Sequence, residues 1–237
     1  FPVFPIDWHS VEKNEVFSGF KEQGFSSQAF INMLAFLGWN PGTDNEIFSL
    51  TELIDSFSLE RVGKSGAKYD HSKTMWYNQQ HLRLKSPQDL FELIISLDDT
   101  ILQSFSKEYI LKAITLVKER AVFIKDVLTE ASVFFSDDIK FDPSAVRKKW
   151  DKNLVSSLEQ LLKSLNDLSD FTHDQIESTF QNHLQNHSLT IGKIMPMLRI
   201  AITGKLAGPS MFDTIELLGK ERVSTRIVNA IKSNSNG

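Results

Sequence analysis

Apolar positions along this chain recur every three to four residues far more often than every second one, the mark of amphipathic helices. Ala29, Phe30, Met33, Leu34 and Leu37 share one stripe behind a cap at Ser26 or Ser27, with Gly38 placed to end the helix. After a turn at Asn40-Pro41-Gly42, Ser49-Leu-Thr-Glu52 has the form of a capping box and starts a short helix over Leu50 to Phe57. Ser86-Pro87-Gln-Asp89 supplies a cap, a first-turn proline and an early acid ahead of Leu90, Phe91, Ile94 and Leu97. The stripe Ile110, Ala113, Ile114, Val117, Ala121, Ile124, Leu128 predicts one continuous helix over Tyr109 to Leu128. Asp142-Pro143 opens another, carrying Trp150, Leu154, Leu158, Leu161, Leu162 and Leu165. Thr172-His-Asp-Gln175 is a further capping box before Ile176 and Phe180. Two helices follow Thr190 and Pro209, a last one covers roughly Arg222 to Lys232, and Ser233 to Gly237 reads as a frayed tail.

Alternation of the strand type is confined to the first few residues and to Ala67–Asp70. The pattern therefore predicts an all-α protein with at most a minor β element near its start. Seams near Leu82–Pro87 and Asp167–His173 divide it into 1–82, 83–170 and 171–237.

Composition narrows the function classes. The apolar fraction of 41%, with 18 Phe and 4 Trp in 237 residues, is ample for packed cores. No apolar run reaches the roughly 18 residues of a membrane span, and no secretory leader is evident. The absence of cysteine excludes disulfides and thiolate metal sites and fits a cytoplasmic setting. Phe1 to Trp8 read as mid-protein sequence, so the chain is expected to be a piece of something longer. A net charge of −4 argues against indiscriminate nucleic-acid binding. Residues 186–237, however, hold seven basic against three acidic side chains, leaving about −8 for the rest. A basic end on an acidic body can gather phosphate contacts, and it can equally be a solvated helix surface.

Candidate chemistry was tested motif by motif. Gly63-Lys64-Ser65 lacks the earlier glycine of a phosphate loop, because Ser58 stands there, and it follows a helix rather than a strand. A turn that offers Lys64 and Lys68 to a sugar-phosphate backbone is the better reading. His183 and His187 share a helical face, but Leu184 replaces the water-activating Glu of a zinc protease and no third ligand is evident. Surface histidines near a helix end are expected, and no metal. Asp98-Asp99 and Asp137-Asp138 point apart on a helix and make poor acid/base pairs. Arg120, placed in mid-helix by this pattern, is either a solvated partner of Glu119 or Glu130 or a fork of donors for a base edge or phosphate. Arg199 is set among Met197, Leu198, Ile200 and Ile202, where an idle cation is less comfortable. No constellation supports a catalytic site within this chain.

Several segments in order and at spacing carry a resemblance. They are Gly24-Phe25, Phe36-Leu-Gly-Trp39, Phe48-Ser-Leu50, Phe57 to Arg61, Tyr69-Asp70 and Trp76-Tyr-Asn78. They continue with Pro196, Leu198-Arg199, Thr203-Gly204, Gly208-Pro209, Phe212 and Leu217-Leu-Gly-Lys-Glu-Arg222. Along its whole length the chain resembles the part of bacterial-type glutamyl-tRNA synthetases downstream of their catalytic domain. The resemblance implies a stem-contact domain over 1–82 and two helical anticodon-binding domains after it. It implies that Arg120 reads the third anticodon base, and that Arg199, with Gly208, Pro209 and Met211, holds the first two. Gly208 stands where some relatives have a hydroxyl residue, which removes a side-chain hydrogen bond there. Lys64, Lys68 and Lys205 would meet the tRNA backbone. The partner implied is tRNA(Glu), with no DNA and no membrane, for a monomeric cytoplasmic protein. ATP and Mg²⁺ would belong to a catalytic domain outside this chain, and these residues would bind no cofactor and do no chemistry alone. The segment Asp7 to Phe20 has no assigned role. The competing reading is an all-helical protein-interaction scaffold.

Overall fold

A computed structural model describes residues 4–10, 14–64, 66, 68–97, 100 and 104–235. Among these the protein is all-α, with twelve helices and one two-stranded antiparallel hairpin, β1 (Trp8–Ser10) and β2 (Glu15–Phe17). The hairpin lies in the segment to which the sequence assigned no role. The chain groups into two compact units, residues 1–99 with 118–129, and 100–117 with 130–237. This partition differs from the three segments read from sequence seams. Asp98-Asp99, Ser65, Ala67 and the last two residues lie outside the described set, while 68–70 form no strand.

In the first unit, α1 (Ser27–Ala35) is capped by Ser26, whose side chain accepts from Ala29 N, and it ends before Gly38. The expected capping box is present at α2 (Leu50–Ser56), closed from both sides by Ser49 and Glu52. α3 (His71–Leu84) and α4 (Pro87–Leu97) follow. α1 packs on α2 and α3. The buried face of α3 is unusually polar and satisfied by fixed partners. Asn32 donates to Glu46 O and accepts at Oδ1 from Phe48 N, which makes it also the acceptor for His81 Nε2 at 3.0 Å. Burial, and then the Lys85 charge, hold the His81 pKa below its ordinary value.

The continuous helix expected over 109–128 is broken. α5 (Lys107–Val117) gives way to a 3₁₀ turn at Lys118–Arg120, and α6 (Ile124–Phe135) starts afresh. The cause is competition for backbone groups. Arg83 takes Glu119 O through Nε and Nη2 at 2.9 and 2.6 Å, and Asn78 Nδ2 takes Val122 O at 2.6 Å. Asp126 then accepts from the N–H groups of Val122 and Phe123, capping the new start.

In the second unit the helix expected from Asp142 onward also divides. Asp142 caps α7 (Pro143–Lys149), and α8 (Val155–Asn166) resumes after Asp151 accepts from Asn153 N. α9 (His173–Asn186), α10 (Ile191–Thr203), α11 (Met211–Leu218) and α12 (Lys220–Ser235) complete it. Thr172 occupies the cap position of α9 without a side-chain bond, so that box is not formed. α12 runs through the residues expected to fray. α10 packs on α12 and α7, and α9 on α8 and α11. His183 is buried rather than on the surface, its Nε2 2.8 Å from Ser157 Oγ, and burial depresses its pKa.

Candidate functional site

The C-terminal run of the sequence becomes a helix, a left-handed stop and a tight turn. α10 buries Ile194, Met197, Leu198, Ile200, Ala201 and Ile202, so its rigidity comes from apolar packing. It ends at Gly204, whose φ of +75° favours glycine. A Cβ there would stand 2.2 Å from Lys140 O, and Gly204 O accepts from Asp142 N at 2.8 Å. The segment after α6 is thereby pressed against the end of α10.

Arg199 leaves this helix part-buried, with Nη1 donating to Pro209 O at 2.9 Å. A Cβ on Gly208 would lie 3.2 Å from that nitrogen, tight enough to push the guanidinium by a few tenths of an ångström. Glycine at 208 thus lets the backbone approach the cation. A groove of about 320 Å³ runs beside the turn, lined by Thr203, Lys205, Gly208 and Pro209, with Glu130 and Lys140 among the rest. Lys205 is exposed; Pro209 is buried. Met211, 3% exposed, has its side chain in the interior, where it supports the turn instead of presenting itself.

The structure therefore brings Arg199, Lys205, Gly208 and Pro209 together in the second unit. Arg120, Lys64 and Lys68 belong to the first. Arg120 is exposed on the 3₁₀ turn, not in mid-helix. Its two predecessors are fastened: Lys118 Nζ donates to Arg83 O and Lys85 O, closing the end of α3, while Glu119 O is held by Arg83. Glu119 pairs with Arg83 at 3.4 Å, and no ion pair to Arg120 occurs among the described residues. Lys64 and Lys68 are exposed on a loop whose start is pinned by Gly63 N donating to Gly38 O at 2.7 Å. That bond spends the glycine amide a phosphate loop would need.

Sequence reasoning missed three basic residues. Lys220 Nζ donates to Asn166 O and Leu168 O at the end of α8. Arg222 meets Asp137, Tyr109 Oη and the carbonyls of Phe134 and Ser136. Arg226, 3% exposed, donates to Ile202, Val133 and Ser136 carbonyls, and burial lowers its pKa to about 10. Arg222 and Arg226 together cap the last turn of α6. The basic end read from charge alone is corrected accordingly: three of its seven cations are spent on interior acceptors. The signal was available in part, since Arg226 falls within the buried stripe Val223, Ile227, Ala230.

Among the described residues no group of three or more His, Asp or Glu is placed to hold a metal ion, and no helix is long and apolar enough to cross a membrane.

Residues 83–231 match the family model described as "Anticodon binding domain". Over 234 residues the chain is 37% identical to the glutamate–tRNA ligase of Christiangramia forsetii, covering 98% of this chain and 46% of that protein. The Flavobacterium psychrophilum glutamate–tRNA ligase is 38% identical over 231 residues, with the same coverage. The crystal structure of a glutamate tRNA ligase from Elizabethkingia meningosepticum, in complex with its amino acid, superimposes with a TM-score of 0.83 at 34% identity. It is matched over 99% of this chain and 46% of its own. The chain thus spans about half the length of the relatives it matches.

Proposed function

This chain belongs to the anticodon binding domain family, and from that premise we propose that it is the tRNA-reading portion of a glutamate–tRNA ligase. The observation that carries the reading is the Arg199 turn: a guanidinium pinned on the Pro209 carbonyl, approached closely by Gly208, at the edge of a groove with an exposed lysine. Unpaired bases in an RNA loop are splayed out and read by donors of this kind, while lysines on phosphates fix register. In this account Arg199, Gly208 and Pro209 hold the first two anticodon bases of tRNA(Glu), with Met211 as the apolar footing beneath them. Arg120 reads the third base from its fastened turn. Lys205, Lys64 and Lys68 meet the backbone. The protein acts as a monomer in the cytoplasm. Glutamate activation with ATP and Mg²⁺ is assigned to residues outside this chain.

A gel shift with tRNA(Glu) at moderate salt tests this. A retarded complex whose affinity falls as salt rises is expected, because each neutralised phosphate releases counterions. No retardation at any salt concentration would favour the scaffold reading, for which α2 offers the outward stripe Leu50, Ile54 and Phe57.

A further inference from the structure

The first unit holds a cavity of about 200 Å³ that none of the proposed contacts uses. Its walls include Met33, Phe36 and Tyr77. Tyr77 is 1% exposed, and its Oη has no hydrogen-bond partner among the described residues. A buried hydroxyl left without an acceptor is costly, so a phenol kept on a cavity wall calls for one. Burial and the nearby Glu46 charge raise the Tyr77 pKa, which leaves the phenol a donor at neutral pH.

The rim decides what kind of acceptor fits. Lys68 and Lys73 are matched by Glu46 and Asp70, so the lining carries no net charge. Glu46 is bound to Lys73 at 2.5 Å, and Asp70 accepts from Lys73 N at the start of α3. An anion gains nothing from such a rim. A flat, neutral ring bearing both carbonyl and amino groups does, with thioether and aromatic walls for its faces. The volume suits one such ring and is below the roughly 300 Å³ at which drug-sized pockets begin. We propose that this cavity takes a single unstacked nucleobase of the bound RNA, with a base carbonyl accepting from Tyr77 Oη. The proposal rests on the tRNA-binding reading for the source of the base.

The test uses the whole chain with ¹³C-labelled methionine methyl groups, Met33 being the reporter and the other four methionines the controls. Guanosine, cytidine, uridine, adenosine and inorganic phosphate are titrated separately, and then a tRNA(Glu) transcript. At least one nucleoside and the transcript should move the Met33 signal, and phosphate should not. Tyr77→Phe keeps the ring and should weaken that nucleoside roughly five- to tenfold, the size of one neutral hydrogen bond, while leaving the melting temperature unchanged or higher. Met33 signals that respond to no nucleoside and no transcript, or to phosphate alone, overturn the proposal. So does a Tyr77→Phe protein that binds nucleoside as the wild type does. A transcript retarded on a gel without moving Met33 sinks the cavity and spares the tRNA reading. Nucleosides that move Met33 while no tRNA binds do the reverse.

Discussion

Arg199 and Arg226 are both donors to backbone carbonyls within the second unit, yet they end in opposite situations. Arg226 sits in the buried stripe of α12 and meets three carbonyls at 2.6–2.9 Å, far from solvent. Arg199 keeps part of its surface in water and leans on Pro209 O through one nitrogen. The first guanidinium closes the orphan carbonyls where α6 and α10 end; the second is steadied at the rim of a groove. Residue type and local charge do not separate the two roles. The number of fixed acceptors and the remaining exposure do.

The contrast can be broken from the structural side first. Arg226→Ala leaves the Val133, Ser136 and Ile202 carbonyls buried without a donor, and should cost on the order of 3 kcal/mol or more in chemical denaturation. Arg226→Lys should recover only part of that loss. Gly204→Ala puts a Cβ 2.2 Å from Lys140 O in a left-handed backbone, with a cost of about 2–3 kcal/mol. A wild-type midpoint for either protein would contradict the capping account.

From the functional side, Gly208→Ala crowds Arg199 Nη1 at 3.2 Å. A folding change under about 0.5 kcal/mol is expected, with a several-fold loss of tRNA affinity by fluorescence titration. Equal losses in folding and binding would place Gly208 with the structural set.

The smallest effect concerns pH. His81 and His183 have depressed pKa values in the folded protein, each with burial as the first cause. Between those values and about 6.5 the unfolded chain binds more protons than the folded one, so stability should fall as pH drops below about 6.5. His81→Gln keeps an N–H for Asn32 and removes one titration, and should flatten that slope. An unchanged slope from pH 7 to 5 would remove His81 from the account.

Much of the fold was legible because caps and stripes are local. Ser26, the Ser49–Glu52 box and Asp142 act within three residues of themselves, and the structure places them as the pattern implied. The break at Lys118–Arg120 was not legible, since the donors that take Glu119 O and Val122 O come from Arg83 and Asn78 in α3. Arg226 was half legible: its place in an apolar stripe marked it as buried, but its acceptors lie up to 93 positions away. Arg199 and its Gly-Pro turn stood out because all their partners fall within ten residues. The Tyr77 cavity could not be read ahead of the fold, as its walls come from separate segments.

The most direct measurement is the affinity of wild type and Arg199→Ala for tRNA(Glu) and for a transcript with altered first and second anticodon bases. Arg199→Ala should weaken the authentic tRNA by about 1–3 kcal/mol, leave the altered transcript nearly untouched and keep the wild-type folding midpoint. Equal weakening of both transcripts, or of neither, would contradict base reading by Arg199.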